Sequence, residues 1–143
     1  MFDSIRKTVG ALAIVGAALA GTAVSTAGVA SAAPSNGELR AKVATVLNVG
    51  ASRAARGAEL VNGEADLPAF DRAGALIAIA PASWHFDVVG ATENGDTINA
   101  TLLTSTAGYE PWPFPVSWKL INGQWKLSHE STCTIGNFVG TGC

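Results

Sequence analysis

The chain has 143 residues, 48% of them hydrophobic and only 14% charged, with two cysteines and a formal net charge of −2 at pH 7. Such an acidic, charge-poor chain lacks the basic surface of a general nucleic-acid binder, and its apolar content is too high for a disordered protein. The length suits one domain with an appendage.

The apolar residues are concentrated at the start. Arg6 and Lys7 form a short basic segment, the uncharged stretch from Thr8 is most apolar over Val9 to Ala20, and the chain then dilutes into small residues before Ala30-Ser31-Ala32. These are the three parts of a secretory signal peptide, with cleavage near Ala32. The stretch is also long enough for an uncleaved anchor, which needs about 20 residues, but its second half of Gly, Ser, Thr and Ala inserts weakly. No cysteine stands just after the leader for lipid attachment. Residues 1–32 are therefore read as a signal peptide and 33–143 as one secreted domain, extracellular or in the cell envelope, with no membrane attachment once the leader is removed. That domain carries seven basic residues against ten acidic ones. The basic residues form no run, so neither nucleic acid nor an anionic membrane surface is an expected partner.

The first helix is signalled by Ser35-Asn36-Gly37-Glu38, a capping-box spacing, followed by Leu39, Val43, Val46 and Leu47 at helical intervals. It ends near Asn48 to Gly50. A second helix is expected from Ser52 towards Leu60, stopped by Asn62-Gly63. Asp66 as cap, with Pro68 in the first turn, starts a third whose buried face is Phe70, Ala73, Leu76 and Ile77. Gly57 and Gly74 weaken these helices by about 1 kcal/mol each, so packing must hold them.

From Trp84 the period changes to two. Trp84, Phe86 and Val88 form one alternating set, followed by Ile98, Ala100 and Leu102, then by Phe114, Val116, Trp118 and Leu120, and Trp125 and Leu127 begin a fourth. Four antiparallel strands follow from this pattern. Asn122-Gly123 as a two-residue turn pairs Leu120 with Trp125, Trp118 with Leu127 and Val116 with His129. A three-residue loop at Glu93-Asn94-Gly95 pairs Phe86 with Leu102 and Val88 with Ala100, and keeps the apolar faces together. The proline-punctuated Tyr109 to Pro115 reads as a crossing or a sheet edge. Helices first and sheet afterwards predict an α+β fold, with N-terminal helices packed on a curved antiparallel sheet of about four strands.

An exported chain reaches an oxidising compartment, where cysteines ten positions apart are expected to pair. A Cys133–Cys143 bridge closes a disulfide-bound tail over 133–143 and contributes at most ~3 kcal/mol by chain entropy. C-x9-C is not a redox C-x-x-C motif and has no ligand-spaced companions, so no metal and no cofactor is expected.

The leader ending Ala30 to Pro34, the first amphipathic helix, Leu67-Pro68 before a helix, and the closing hairpin Pro115 to Ser128 with its Gly123-Gln124-Trp125-Lys126-Leu127-Ser128 together resemble the low-molecular-weight secreted antigen family of mycobacteria and their actinobacterial relatives. The resemblance spans Leu39 to Ser131. It implies a cone-shaped α+β domain similar to the nuclear transport factor 2 fold, export, and immune recognition, with no established catalytic activity. The chain departs from the family in lacking a long proline-rich spacer after the leader and in carrying the terminal cysteine pair.

His85 and Asp87, two apart on one strand, are the nearest thing to an acid/base pair, but alternation places them on the outer face, away from Trp84 and Phe86. His129, set beside Val116 by the register, is a rim histidine or a polar contact in an apolar pocket. Asp71 and Arg72 read as a surface pair. There is no G-x-S-x-G, no phosphate-binding glycine loop and no catalytic cysteine. Trp84, Phe86, Trp118 and Trp125, with His129, are the residues expected to meet a small apolar ligand, if the helices leave room behind the sheet. The preferred function is thus a non-enzymatic secreted domain that binds such a ligand or a protein partner. The alternatives are an envelope interaction domain, pairing with a second copy through the open sheet face, and an isomerase- or hydrolase-like enzyme using His129 or Asp87. Mass spectrometry of the exported protein is expected to read an N-terminus near Ala33; a chain beginning at Met1 in the membrane fraction would contradict the cleaved leader.

Overall fold

A computed structural model describes residues 33–143, so the leader and its cleavage point lie outside the described residues. Helix α1 runs Asn36–Leu47 and opens with the expected reciprocal capping box: the Ser35 hydroxyl accepts from the Glu38 amide, and the Glu38 carboxylate accepts from the Ser35 amide at 2.8 Å. It buries Leu39, Val43 and Val46. Ser52 caps α2, which covers only Arg53–Gly57 rather than reaching Leu60. Leu60 is drawn instead into a parallel bridge with Leu127, where Val61 donates to the Leu127 carbonyl and Leu127 to that of Glu59. Pairing with the sheet overrides the helical propensity of this segment.

A 3-10 turn, Gly63–Asp66, leads into α3, Leu67–Ala78, with Pro68 in its first turn. Asp66 makes no side-chain cap, contrary to the sequence reading. The buried face of α3 is Leu67, Ala69, Phe70, Ala73 and Gly74, whereas Leu76 is exposed and Ile77 half-buried. Gly57 and Gly74 stand at close approaches: a Cβ on Gly57 would meet Glu64 Cγ at 2.7 Å and one on Gly74 would meet Val49 Cγ1 at 2.6 Å. The helices therefore gain in packing what the glycines take from propensity.

Arg56, only 2% exposed, locks the three helices together. Its Nε donates to the Val46 carbonyl at the end of α1, and its Nη1 lies 2.8 Å from Asp71 of α3. Arg53 holds the other Asp71 oxygen at 3.0 Å. Asp71 is thus paired with α2, and not with its neighbour Arg72. Desolvation opposes ionisation of Asp71, but the hydrogen bonds and charges of Arg53 and Arg56 outweigh it and hold the carboxyl below its ordinary range.

Strands β1 (His85–Asn94), β2 (Thr97–Ser105), β3 (Trp112–Ile121) and β4 (Gln124–Leu127) form one open antiparallel sheet in that order. The β3–β4 turn is as expected, with Asn122 and Gly123 at φ 51° and 80° and Leu120 opposite Trp125. The β1–β2 hairpin differs. Asn94 pairs with Thr97, so the loop is the two residues Gly95-Asp96. Continued unbroken, that pairing would set Phe86 opposite Ser105 and mix the faces. A bulge, in which Gly90 (φ 67°) and Ala91 stand against Ala100, restores the alternation. Phe86 therefore meets Thr104 and Val88 meets Leu102. The freed Ala91 amide donates to Asn36 Oδ1 at the start of α1.

The largest departure is at the C-terminus. The sequence reading extends β4 through His129, but the strand ends at Leu127 and Ser128 caps a fourth helix, α4, His129–Val139. The cause lies in β3, which β4 pairs only over Trp118–Ile121. Ser117, just beyond, donates its amide to Ser131 Oγ at 2.7 Å and accepts from the Ser128 amide, while the three serine hydroxyls bond one another. By the two-residue period Pro113 and Pro115 face the same edge, where a missing N–H costs nothing. The edge reading of this segment thus holds, and α4 lies along it. Past Gly140 the tail folds back on Gly136, whose carbonyl accepts from the amides of residues 140–142, and Cys143 reaches Cys133 to form the expected disulfide.

Among the described residues no helix is long and apolar enough to cross a membrane.

Replacing Ser131 by Ala leaves the Ser117 amide without a partner and is expected to cost about 1–3 kcal/mol, with faster hydrogen exchange at Ser117 and little change at α1. Asp71→Asn strands buried Arg56; because Asp71 is 38% exposed, about 1–3 kcal/mol is expected at neutral pH rather than the full cost of breaking a buried pair. A depressed carboxyl stabilises above its unfolded pKa and loses that contribution as pH falls through the folded value. The gap between wild type and Asp71→Asn in urea melts should thus hold at neutral pH and close only below about pH 4.

Candidate functional site

Between the helices and the apolar face of the sheet lies a cavity of about 150 Å³. Helices α1 and α3 contribute Val43, Leu47, Phe70, Ala73, Leu76 and Ile77; the sheet contributes Phe86, Leu102, Phe114, Val116 and Leu127; α4 contributes Ile135, Phe138 and Val139, and Ala80 and Trp84 complete the wall. The polar groups of the lining are the Trp84 indole N–H and the Thr104 hydroxyl, and the hydroxyl is already engaged, donating to the Trp112 carbonyl at 3.1 Å. None of the described titratable side chains lines the space.

The strand alternation explains why so many rings meet here. Trp84 and Phe86 stand with centroids 5.8 Å apart at one side, and Arg40 of α1 stacks its guanidinium 4.6 Å above the Phe86 ring. At the other side Phe138 of α4 meets Phe114 edge-on at 4.9 Å and Trp112 at 5.9 Å. Trp112 and Phe138 are 56% and 61% exposed, so this aromatic pair forms a rim open to solvent.

The five residues read from sequence as ligand contacts are not all brought together. Trp84 and Phe86 line the cavity. Trp118 is fully buried between Ile98 and Leu127 and belongs to the core beside it. Trp125, half-buried opposite Leu120 at the far corner of the sheet, lies outside the lining. His129 is not beside Val116, since it is the first residue of α4. Its Nδ1 lies 3.0 Å from Asp66 Oδ2 and 3.0 Å from the Asn62 side-chain amide. His85 and Asp87 are exposed on the opposite face, His85 bonded to the Ser83 carbonyl and Asp87 paired with Arg40 at 3.3 Å.

The α4 residues escaped the sequence reading although a signal was present: Ser128 as cap, Ile135, Phe138 and Val139 at helical spacing, and Gly140 as stop. Nothing local points from His129 to Asp66, 63 residues away. Among the described residues, the metal-ligand types gathered within reach of one another are His129, Cys133 and Cys143, and both sulfurs are held in the disulfide.

No curated protein and no solved structure matches the chain. A family model does, that of the C-terminal domain of low molecular weight antigen MTB12, over residues 32–143, a longer span than the Leu39 to Ser131 legible in the motifs. A match over that share of the sequence, on an α+β domain that contains the hairpin carrying the resemblance, places the chain in the low molecular weight antigen MTB12 family.

Proposed function

We propose that this chain is an exported, non-enzymatic antigen-type domain that holds a small apolar ligand in the cavity between α3, α4 and the sheet. The observation that carries the reading is the lining, apolar except for the Trp84 indole N–H and a hydroxyl whose hydrogen bond is already made. Such a void has little to offer water, which needs two or more polar partners to stay. Its size sets the class of ligand. An apolar cavity of about 150 Å³ takes up a benzene-sized ring, whereas drug-sized pockets begin near 300 Å³. The occupant is a single ring or a short acyl segment, free or as the tail of a larger molecule whose remainder leaves past Trp112 and Phe138. Export rests on the leader motif. The cone shape implied by the family resemblance fits the same picture, since helices on the concave side of an open sheet enclose interior space.

An enzyme using Asp87 or His129 has less support, because neither residue reaches the cavity. Pairing of two copies through the outer sheet face is likewise less favoured, since that face carries His85, Asp87, Asn99, Lys119 and Lys126.

Benzene, added to the folded protein, is expected to raise the melting temperature through binding to the native state alone. Ala73→Leu places three more carbons in the void and should abolish that shift while leaving the circular dichroism spectrum intact. A wild-type protein whose melting point does not respond to benzene or a short-chain fatty acid would overturn the reading.

A further inference from the structure

Outside the cavity, one cluster of reactive side chains is drawn together from two parts of the chain. His129 is the first residue of α4, and Cys133, four residues on, lies on the same helical face, so His129 Nε2 stands 3.5 Å from Cys133 Sγ. On its other side, His129 Nδ1 meets Asp66 Oδ2 at 3.0 Å. Asp66, only 6% exposed, offers Nδ1 an acceptor and so favours the hydrogen there, on a nitrogen that also meets the Asn62 side-chain amide at 3.0 Å, and Nε2 is left facing the sulfur. Nucleophile-type sulfur, imidazole and orienting carboxylate thus follow one another in the order used to activate thiols, except that the sulfur is held in a disulfide. The two sulfurs of that bond are not equivalent. Cys143 is exposed at the end of the folded-back tail, whereas Cys133 is half-buried against His129.

We propose that Cys133–Cys143 is a thiol-exchange site, at which a low-molecular-weight thiol adds to Cys143 and Cys133 leaves as a thiolate received by His129. The thiolate RS⁻ attacks Cys143 Sγ from the solvent side. The RS–S bond to Cys143 forms as the Cys133–Cys143 bond breaks, and the electron pair passes to Cys133 Sγ. Protonated His129 transfers its Nε2 proton to that sulfur and keeps its Nδ1 hydrogen on Asp66. A second thiolate, attacking the mixed disulfide at the sulfur of R, releases Cys143 and forms RSSR, so two thiols are oxidised and the protein disulfide is reduced. His129 touches the reacting sulfur and acts as a catalytic residue; Asp66 acts through it and is a positioning residue. A group that stabilises the leaving sulfur speeds exchange and decides which sulfur is attacked.

The test is glutathione reduction of the oxidised, exported protein, quenched with acid and mapped by peptide mass spectrometry. The first adduct is expected on Cys143. His129→Ala and His129→Gln are expected to slow its formation about tenfold, within the range of general acid catalysis. Asp66→Asn should slow it in the same direction, and the Asp66→Asn/His129→Ala double variant no further than His129→Ala alone. If the two residues merely brace the helix, the variants loosen the tail and speed reduction, which separates that outcome from the proposal; circular dichroism establishes that each variant is folded. An adduct on Cys133, or rates in the His129 variants equal to or above wild type, overturns the proposal.

Discussion

The free edge of β3 is the constraint on which the rest of the domain depends. Strand β4 pairs with only the last four residues of β3, Trp118–Ile121, so from Trp112 to Ser117 β3 is paired with β2 on one side and has no strand on the other. Unpaired strand edges invite other chains. Two prolines remove donors from this one, and Ser128 and Ser131 meet the amide and carbonyl of Ser117 with hydroxyl and backbone groups. The chain cannot both continue as β4 and supply those groups, so it turns at Ser128 and runs back along the edge as a helix.

That turn decides three further features. It brings Ile135, Phe138 and Val139 against the sheet to complete the cavity wall. It sets His129 at the helix start, within reach of Asp66 at the head of α3. It also aims Cys133 outward, where a tail folded on Gly136 can reach it; a Cβ on Gly136 would collide with the Gly142 carbonyl. The cavity wall, the His129–Asp66 contact and the disulfide are consequences of one change of direction.

The cavity persists for a related reason. Its floor is a sheet whose rings are fixed by strand pairing, and its roof is formed by helices whose positions are fixed elsewhere: α1 to α3 through buried Arg56 and its contacts with Val46 and Asp71, α4 through the serine cluster at Ser117. Neither layer is free to collapse onto the other, and rigid surroundings are what allow an apolar void to remain open.

The sequence by itself determined what lies within a few residues along the chain. The Ser35/Glu38 box, the Asn122-Gly123 turn with its register, the two-residue alternation that sorts Phe86, Leu102, Phe114 and Val116 onto one face, and the pairing of the two cysteines rest on local geometry or on there being a single possible partner. It also required that the first hairpin keep its apolar faces together. Only the tertiary structure decided how: a bulge at Gly90-Ala91, bonded to Asn36, takes the part that the loop was expected to play, because the two solutions have the same parity and alternation alone does not separate them. The course of the chain after Leu127 was decided in the same way. The run Trp125, Leu127, His129 suits a strand, and Ser128 followed by Ile135, Phe138 and Val139 suits a helix; the unpaired edge of β3 selected the helix. His129 then met Asp66 across 63 residues, a pairing that no spacing encodes, because it exists only once two helices have been placed by groups other than themselves.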